Sequence, residues 1–337
     1  MSLVPCLLLN EFRKDLVSGE WVLFATGRSK RPSGEKNERQ ILKIPKENCP
    51  FEDPEKSGNE ILATYPDEQK NDWFAKVTKN KFPAVIEGES GPRRTAGPFQ
   101  VTDARGLHEV IIYRDHDRNL DQYSSEEFSR IFGIYQERYK AMALYSSSRY
   151  ILIFHNQGPA AGASIAHPHS QIISIPIMPP DVTRSVQGSK DFYEENGKRV
   201  YDIMLDWEIV EKKRIIYENK HFVAFCPFIS KTPYEVRIFP RESHAHFESM
   251  PAELLLELGD TMLAVLKKIN KALNAPDFNY FVHTAPADSK NSNIHNFYAW
   301  HIEVIPKMKI EGAFELGSGV EVNIIDPDQA AEELRMS

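Results

Sequence analysis

His167 and His169 flank Pro168 in the run GPAAGASIAHPHSQIISIP, residues 158–176. Two imidazoles one residue apart on an extended strand point to one face, because strand side chains alternate. Such a pair has three readings: core filler, metal ligands, or a nucleophile that attacks phosphorus. The surrounding residue types favour chemistry. Gly158, Gly162 and the alanines between them leave little side-chain bulk, so backbone N–H groups can approach an anion closely. Ser164 adds a hydroxyl donor. Gln171, two positions beyond His169, shares its strand face and can donate to a phosphate oxygen. Imidazole is available in its neutral form at pH 7, so it can attack phosphorus without a strong base and carry a nucleotidyl group covalently.

The elements that must position these residues occur twice. VTKNKFPAV (77–85), GLHEVIIYRDHDRNLDQYSSEEF (106–128), YILIFHNQGP (150–159) and AHPHSQIISIP (166–176) are followed, in the same order, by IYENKHFVAF (216–225), TPYEVRIFPRESHAHFESMPAEL (232–254), NYFVHTAP (279–286) and AWHIEVIP (299–306). Each set reads as strand, strand, long helix, strand, strand. The helices follow from apolar residues at helical spacing: Phe128, Ile131, Ile134, Tyr135 and Tyr139 in the first, Leu254, Leu258, Met262 and Leu266 in the second. Acidic residues just after SS and MP suit the positive end of a helix. The fold class is therefore α+β, two tandem units each built from an antiparallel sheet and a long helix. The units are expected at 1–185 and 186–337, joined through DVTRSVQGSKDFYEENGKRVYDIML.

Composition excludes several classes. A net charge of -7 argues against general nucleic-acid binding, whose footprint is basic. Three widely spaced cysteines, Cys6, Cys49 and Cys226, form no disulfide framework and suit a reducing compartment. The apolar run LVPCLLL near the start is too short to span a membrane and lacks the basic lead of a signal peptide. A soluble cytoplasmic protein is expected.

NQGPAAGAS followed by HPHSQ resembles the galactose-1-phosphate uridylyltransferase family, the two-repeat branch of the histidine-triad superfamily. The likeness runs from DLVSGEWVLFATGRSKRP (15–32) to GAFELGSGVEVN (312–323). The resemblance implies that His169 attacks the α-phosphorus of a nucleoside diphosphate sugar, expels a sugar 1-phosphate, and passes the nucleotidyl group to a second acceptor. It assigns Gln171 and Ser164 to the non-bridging oxygens. Glutamine at 171, where histidine-triad hydrolases carry histidine, goes with transfer rather than hydrolysis. Arg28 and Arg31 match phosphate-contacting arginines, Asn80 a nucleotide contact, Asn156 a contact near phosphate or sugar, and Gly162 belongs to the close-approach loop. Read without the resemblance, GRSKRP is a solvated basic turn and Asn80 a turn asparagine.

The resemblance also implies one structural zinc on Cys49, Glu52, His116 and His167. CPFE stands where the family has CPFC, so a carboxylate replaces one thiolate in an acceptable tetrahedral set. A second family metal would match His283 and His301, but Glu303 replaces its third histidine and Ser185 falls near the place of its glutamate. One metal is expected. The glycine-rich GAFELGSGVEVN, with Ser318 and Gly319 where the best-known members carry other residues, resembles a branch that includes ADP-glucose phosphorylases. The expected reaction is UMP exchange between UDP-glucose and galactose 1-phosphate. The alternatives are AMP transfer from ADP-glucose to phosphate and, in another class, a silent nucleotide- or metal-binding module. A homodimer is implied by the family alone.

Overall fold

A computed structural model describes residues 10–30, 44–88, 91–287 and 295–337 of the chain. The described residues open with a strand pair, β1 (Asn10–Lys14) and β2 (Trp21–Ala25). The first unit then supplies β3 (Ile61–Asp67), β4 (Asp72–Lys79), a small outlying hairpin of β5 (Arg94–Ala96) and β6 (Phe99–Val101), β7 (His108–Tyr113), helix α1 (Ser125–Ala143), β8 (Tyr150–Gln157) and β9 (His169–Ile175). Helices α2 (Pro180–Asn196) and α3 (Val200–Glu211) connect it to the second unit. There β10 (Ile215–Glu218), β11 (Phe222–Phe225), β12 (Val236–Pro240), helix α4 (Leu255–Leu273), β13 (Phe278–His283) and β14 (His301–Pro306) follow the same plan. The chain closes with α5 (Ala313–Ser318), β15 (Glu321–Asn323) and α6 (Pro327–Met336).

The α+β class expected from the repeat is what the chain forms, with three differences of detail. The two units do not keep separate sheets. They share one ten-stranded sheet in the order β10-β11-β12-β14-β13-β8-β9-β7-β4-β3, joined where β13 pairs antiparallel with β8. Each unit has five strands rather than four. IYENKHFVAF folds back on itself because the Asn219 side chain accepts from the amides of His221 and Phe222, which closes a tight turn between β10 and β11. In the first unit, ILATYPD makes the matching edge strand. The connecting segment is two helices, and the expected boundary at 185/186 falls within the first of them. Its helical period was hard to read because α2 buries only Val182 and Ser189.

The long helices lie side by side on one face of the sheet. Phe128, Ile131, Phe132 and Tyr135 of α1 and Leu258, Met262, Val265 and Leu266 of α4 pack into a single core with Ile111, Ile153, Ile172, Val282, Ile302 and Val304 from the strands. The start of α1 is fixed by a capping box, in which the Ser124 hydroxyl accepts from the Glu127 amide and Glu127 accepts from the Ser124 amide. On the opposite face, α2 and α3 cover the second unit with Val200, Tyr201 and Leu205 against Val223, Phe225 and Phe239. Over the first unit that face carries only a small cluster, Cys49, Phe51, Val110 and Ile112. It is the face that His169 and Gln171 share. Among the described residues, no helix is long and apolar enough to cross a membrane.

At Gly259 of α4 the backbone of α1 comes too close for a side chain. A Cβ there would lie 2.4 Å from the Ser125 carbonyl oxygen and 2.9 Å from the Ser129 nitrogen. Both neighbours are backbone, so neither can turn aside. Gly259→Ala is therefore expected to cost about 1–3 kcal/mol of stability through overpacking. Urea unfolding measures it; an unchanged midpoint would contradict this helix packing.

Candidate active site

His169 opens β9, and its ring is fixed by the backbone two residues earlier. Nδ1 lies 2.8 Å from the His167 carbonyl oxygen, which can only accept, so Nδ1 carries the proton. Nε2 is left with its lone pair. Phe51 packs edge-on against the ring, with centroids 5.0 Å apart. Burial pushes the His169 pKa below the usual 6.5, which keeps the imidazole neutral. A neutral imidazole with one bare nitrogen is the form in which histidine is a nucleophile.

Ser170 points to the other side of the strand, into a buried cluster of hydroxyls. Its Oγ lies 2.7 Å from Tyr113 OH, 2.6 Å from Tyr135 OH and 3.1 Å from His155 Nδ1. Tyr135 OH in turn lies 2.6 Å from Tyr280 OH of the second unit. Fully satisfied buried networks of this kind rigidify the backbone that carries them. Here the backbone is the strand that holds the candidate nucleophile.

Gln171 returns to the His169 face, where His108 of β7 sets its orientation. The Ala84 amide donates to His108 Nδ1 at 3.2 Å, so the His108 proton sits on Nε2, 2.9 Å from Gln171 Oε1. The Gln171 oxygen therefore accepts, and its NH₂ group is free to donate to an anion. Burial lowers the His108 pKa, which preserves this tautomer. Asn80 completes the group: its Oδ1 accepts from the Phe82 amide at 2.9 Å, turning Nδ2 toward Gln171 Oε1 at 3.5 Å. Asn80 is both the turn residue and a wall of the site.

The glycine- and alanine-rich loop is held by the second unit. Asp277 accepts from the Ala160 amide at 2.8 Å, and Asn279 Nδ2 donates to Ala161 O and to Asn156 Oδ1, each at 2.8 Å. Gly158 has φ +83° and would place a Cβ 2.1 Å from the Asp277 carboxylate, so no larger residue fits. The row of anion-binding amides expected here is not present as such. The amides of Ala160 to Ala163 are engaged by Asp277 and by the carbonyls of Gly158 and Pro159. The loop contributes shape, with the exposed Gly162 and Ser164 at its outer rim. Arg28 is exposed just after β2 and, among the described residues, has no ion pair or hydrogen bond to the His169 group. Arg31 lies outside the described residues.

A second cluster stands next to the candidate nucleophile. His167 Nε2 bonds the Tyr113 carbonyl and His116 Nε2 bonds the Ile44 carbonyl, so both Nδ1 atoms are bare. Those two nitrogens lie 3.0 Å apart. Cys49 Sγ is 3.6 Å from His167 Nδ1, and Glu52 Oε2 is 3.5 and 3.9 Å from the two nitrogens. Glu52 Oε2 is buried without a hydrogen-bond partner. Converging lone pairs repel unless a cation lies between them, and this donor set fits one. Glu52 Oε1 is held by Arg114 at 2.8 Å, which aims the other oxygen inward.

Residues 8–179 match the galactose-1-phosphate uridyl transferase N-terminal domain. Over 96% of its length the chain is 33% identical to the ADP-glucose phosphorylase of Arabidopsis thaliana, covering 92% of that protein. The chain belongs to the galactose-1-phosphate uridylyltransferase family. It is also 27% identical to the galactose-1-phosphate uridylyltransferase of Thermotoga maritima, over 97% of this chain and 98% of that one. Among solved structures it superposes on the Arabidopsis thaliana ADP-glucose phosphorylase with bound ADP-glucose at a TM-score of 0.83, with 30% identity over 98% and 99% of the two chains. A uridylyltransferase structure at 24% identity, TM-score 0.71 over 97% of each chain, shares the fold.

The sequence points to His169, Gln171, Asn80 and Asn156 as candidate site residues and to Cys49, Glu52, His116 and His167 as one metal set, and the structure clusters the four metal-set residues. Sequence reasoning missed His108, Asp277 and Asn279. The only signal for His108 is its place two positions from Val110, on the same face of a strand that is apolar from Val110 onward.

The ring assignments are directly measurable. Long-range ¹⁵N–¹H spectra of histidine-labelled protein are expected to show His169 as the Nδ1–H tautomer and His108 as Nε2–H, both still neutral as pH falls through 6.5. A His169 resonance that titrates at or above 6.5 would contradict the geometry. Stability follows the same sign. Burial and the nearby His169 hold the His155 pKa at about 3, so between pH 6.5 and that value the unfolded chain takes up a proton that the folded chain refuses. Acidification through that window is expected to lower the urea midpoint, and a His155→Phe variant to flatten the dependence.

Proposed function

We propose that the protein is a nucleotidyltransferase acting by double displacement through His169. The observation that carries this reading is the His169 ring, neutral, with Nδ1–H bound to the backbone and Nε2 bare beside an amide donor. In the first step Nε2 attacks the α-phosphorus of a nucleoside diphosphate sugar, a phosphorus–nitrogen bond forms, and the bond to the bridging oxygen breaks. Sugar 1-phosphate leaves with the electron pair of that bond. In the second step an acceptor phosphate oxygen displaces Nε2 and returns the imidazole to its starting state. The Gln171 NH₂ group and the Ser164 hydroxyl would stabilise the non-bridging oxygens. Arg28 and Arg31 would bind phosphate, Asn80 the nucleotide, and Asn156 with the Gly162 loop the leaving group. The first unit, 1–185, carries the chemistry and the second, 186–337, braces it.

The donor base has two readings. UDP-glucose with galactose 1-phosphate follows the family description. ADP-glucose with phosphate is supported by the 33% identity to an ADP-glucose phosphorylase against 27% to a uridylyltransferase. It is supported also by GAFELGSGVEVN, where α5 ends at Gly319 with φ +69°. We favour the adenylyl donor on those two grounds. A dimer, as in the family, would bring α5 of one subunit to the site of its partner.

Zinc is the ion we assign to Cys49, Glu52, His116 and His167. Burial raises the Cys49 thiol pKa, so metal binding must displace its proton. The ion would be structural: all four ligands come from protein, and it would anchor His167 and so the start of β9. His116→Ala is expected to lose the metal, measured by plasma mass spectrometry, and to lower the thermal midpoint. Full retention would refute the ligand set.

The catalytic reading is tested with ADP-glucose and UDP-glucose, each labelled at the α-phosphate and incubated without acceptor. Acid-labile label is expected on wild-type protein from the accepted donor and none on His169→Gly. Gln171→Ala should retain labelling but lower kcat by on the order of 10²-fold, the scale of losing one transition-state donor. No label from either donor, with both nucleotides still bound, would leave a binding module.

A further inference from the structure

The second unit repeats the backbone of the site but changes its charge. His301 opens β14 as His169 opens β9, and its Nδ1 lies 3.2 Å from the Ala299 carbonyl, again two residues earlier. Glu303 occupies the place that Gln171 holds in the first unit. His283 faces His301 in register, with stacked rings 4.5 Å apart, and its Nε2 lies 3.0 Å from Glu303 Oε2. One donor atom from each of these three residues falls within 4.8 Å of the others, in a cavity of about 250 Å³ that Ser185 also lines. By donor type alone, two imidazoles and a carboxylate suit a divalent transition metal.

Arg237 makes the set unfit for one. It faces Glu303 in the β12–β14 register, with Nε 3.9 Å from Glu303 Oε2 and Nη2 2.8 Å from the buried Glu235. A guanidinium cannot shed its proton in a protein, so its charge is permanent. Arg237 is nearly buried, so its charge is less screened than a surface charge. Glu235 accepts from both Nε, at 3.0 Å, and Nη2, and Glu303 is the next carboxylate in reach, so a dication on Glu303 would be pressed against the guanidinium. The remaining wall does not restore the balance. Asp15 Oδ1 accepts from the amides of Val17 and Ser18, Asp181 pairs with Arg184, and Lys231 adds a second cation, paired with Glu20 at 2.6 Å.

We propose that Arg237 takes the electrostatic place of a second metal, so that His283, His301 and Glu303 form a metal-free, arginine-neutralised site. The chain then binds one metal, through the Cys49 quartet. This holds whether or not His169 is a nucleophile.

Growth in cobalt-supplemented medium tests it, because only the Cys49 quartet contains sulfur. Wild-type full-length protein is expected to carry one cobalt per chain, with a sulfur-to-cobalt charge-transfer band. Arg237→Met, which removes the charge and keeps the bulk, should gain a second cobalt without strengthening that band, and Arg237→Met/His301→Ala should lose it again. Arg237→Met remaining at one cobalt would overturn the proposal. If that variant fails to fold, wild type against His301→Ala decides: equal cobalt supports the arginine-held site, and a second cobalt in wild type that His301→Ala removes overturns it.

Discussion

The bond from His169 Nδ1 to the His167 carbonyl is the contact on which the site depends. It fixes the tautomer, aims Nε2 away from the backbone, and ties ring orientation to strand geometry instead of to a flexible side-chain partner. A carbonyl cannot reverse its role as a carboxylate or water can, so the imidazole is held in one state. The same residue, His167, gives its side chain to the Cys49 quartet. One dipeptide step thus couples a candidate metal set to the candidate nucleophile.

The rest of the molecule keeps that strand still. The hydroxyl cluster behind Ser170 draws on α1, β7 and β13, so both units close around β9. Asp277 and Asn279 reach from the second unit to pin the loop between β8 and β9. Joining the units through β8 and β13 gives the second unit a structural part in the site of the first. Without β13, the loop and the hydroxyl cluster each lose a partner.

Much of this was legible in the residues. Helical spacing located α1 and α4 to within a few residues, because long amphipathic helices declare themselves by period. HPHSQ after the glycine- and alanine-rich run located the site. What stayed hidden was relational. Asn219 reads as a turn asparagine ahead of an apolar run, and the structure bears that out, but that the residues before it form a strand of their own depends on their register with β11. His108 looks like a polar residue at the start of a strand, and its grip on Gln171 depends on register across β7 and β9. The expected amide cradle failed for a similar reason, since Asp277, more than a hundred residues away in sequence, already occupies the Ala160 amide. Arg237 was invisible as a determinant because its partner, Glu303, lies on another strand.

The central claim is that transfer passes through two displacements at phosphorus. Each in-line attack inverts configuration, so a pair of them restores it. The decisive measurement is the configuration at the α-phosphorus of the product formed from a nucleoside diphosphate sugar made chiral with sulfur at that position, using whichever base the enzyme accepts. The account predicts retention. Inversion would mean that the acceptor attacks the donor directly, and His169 would then be a bystander to the reaction.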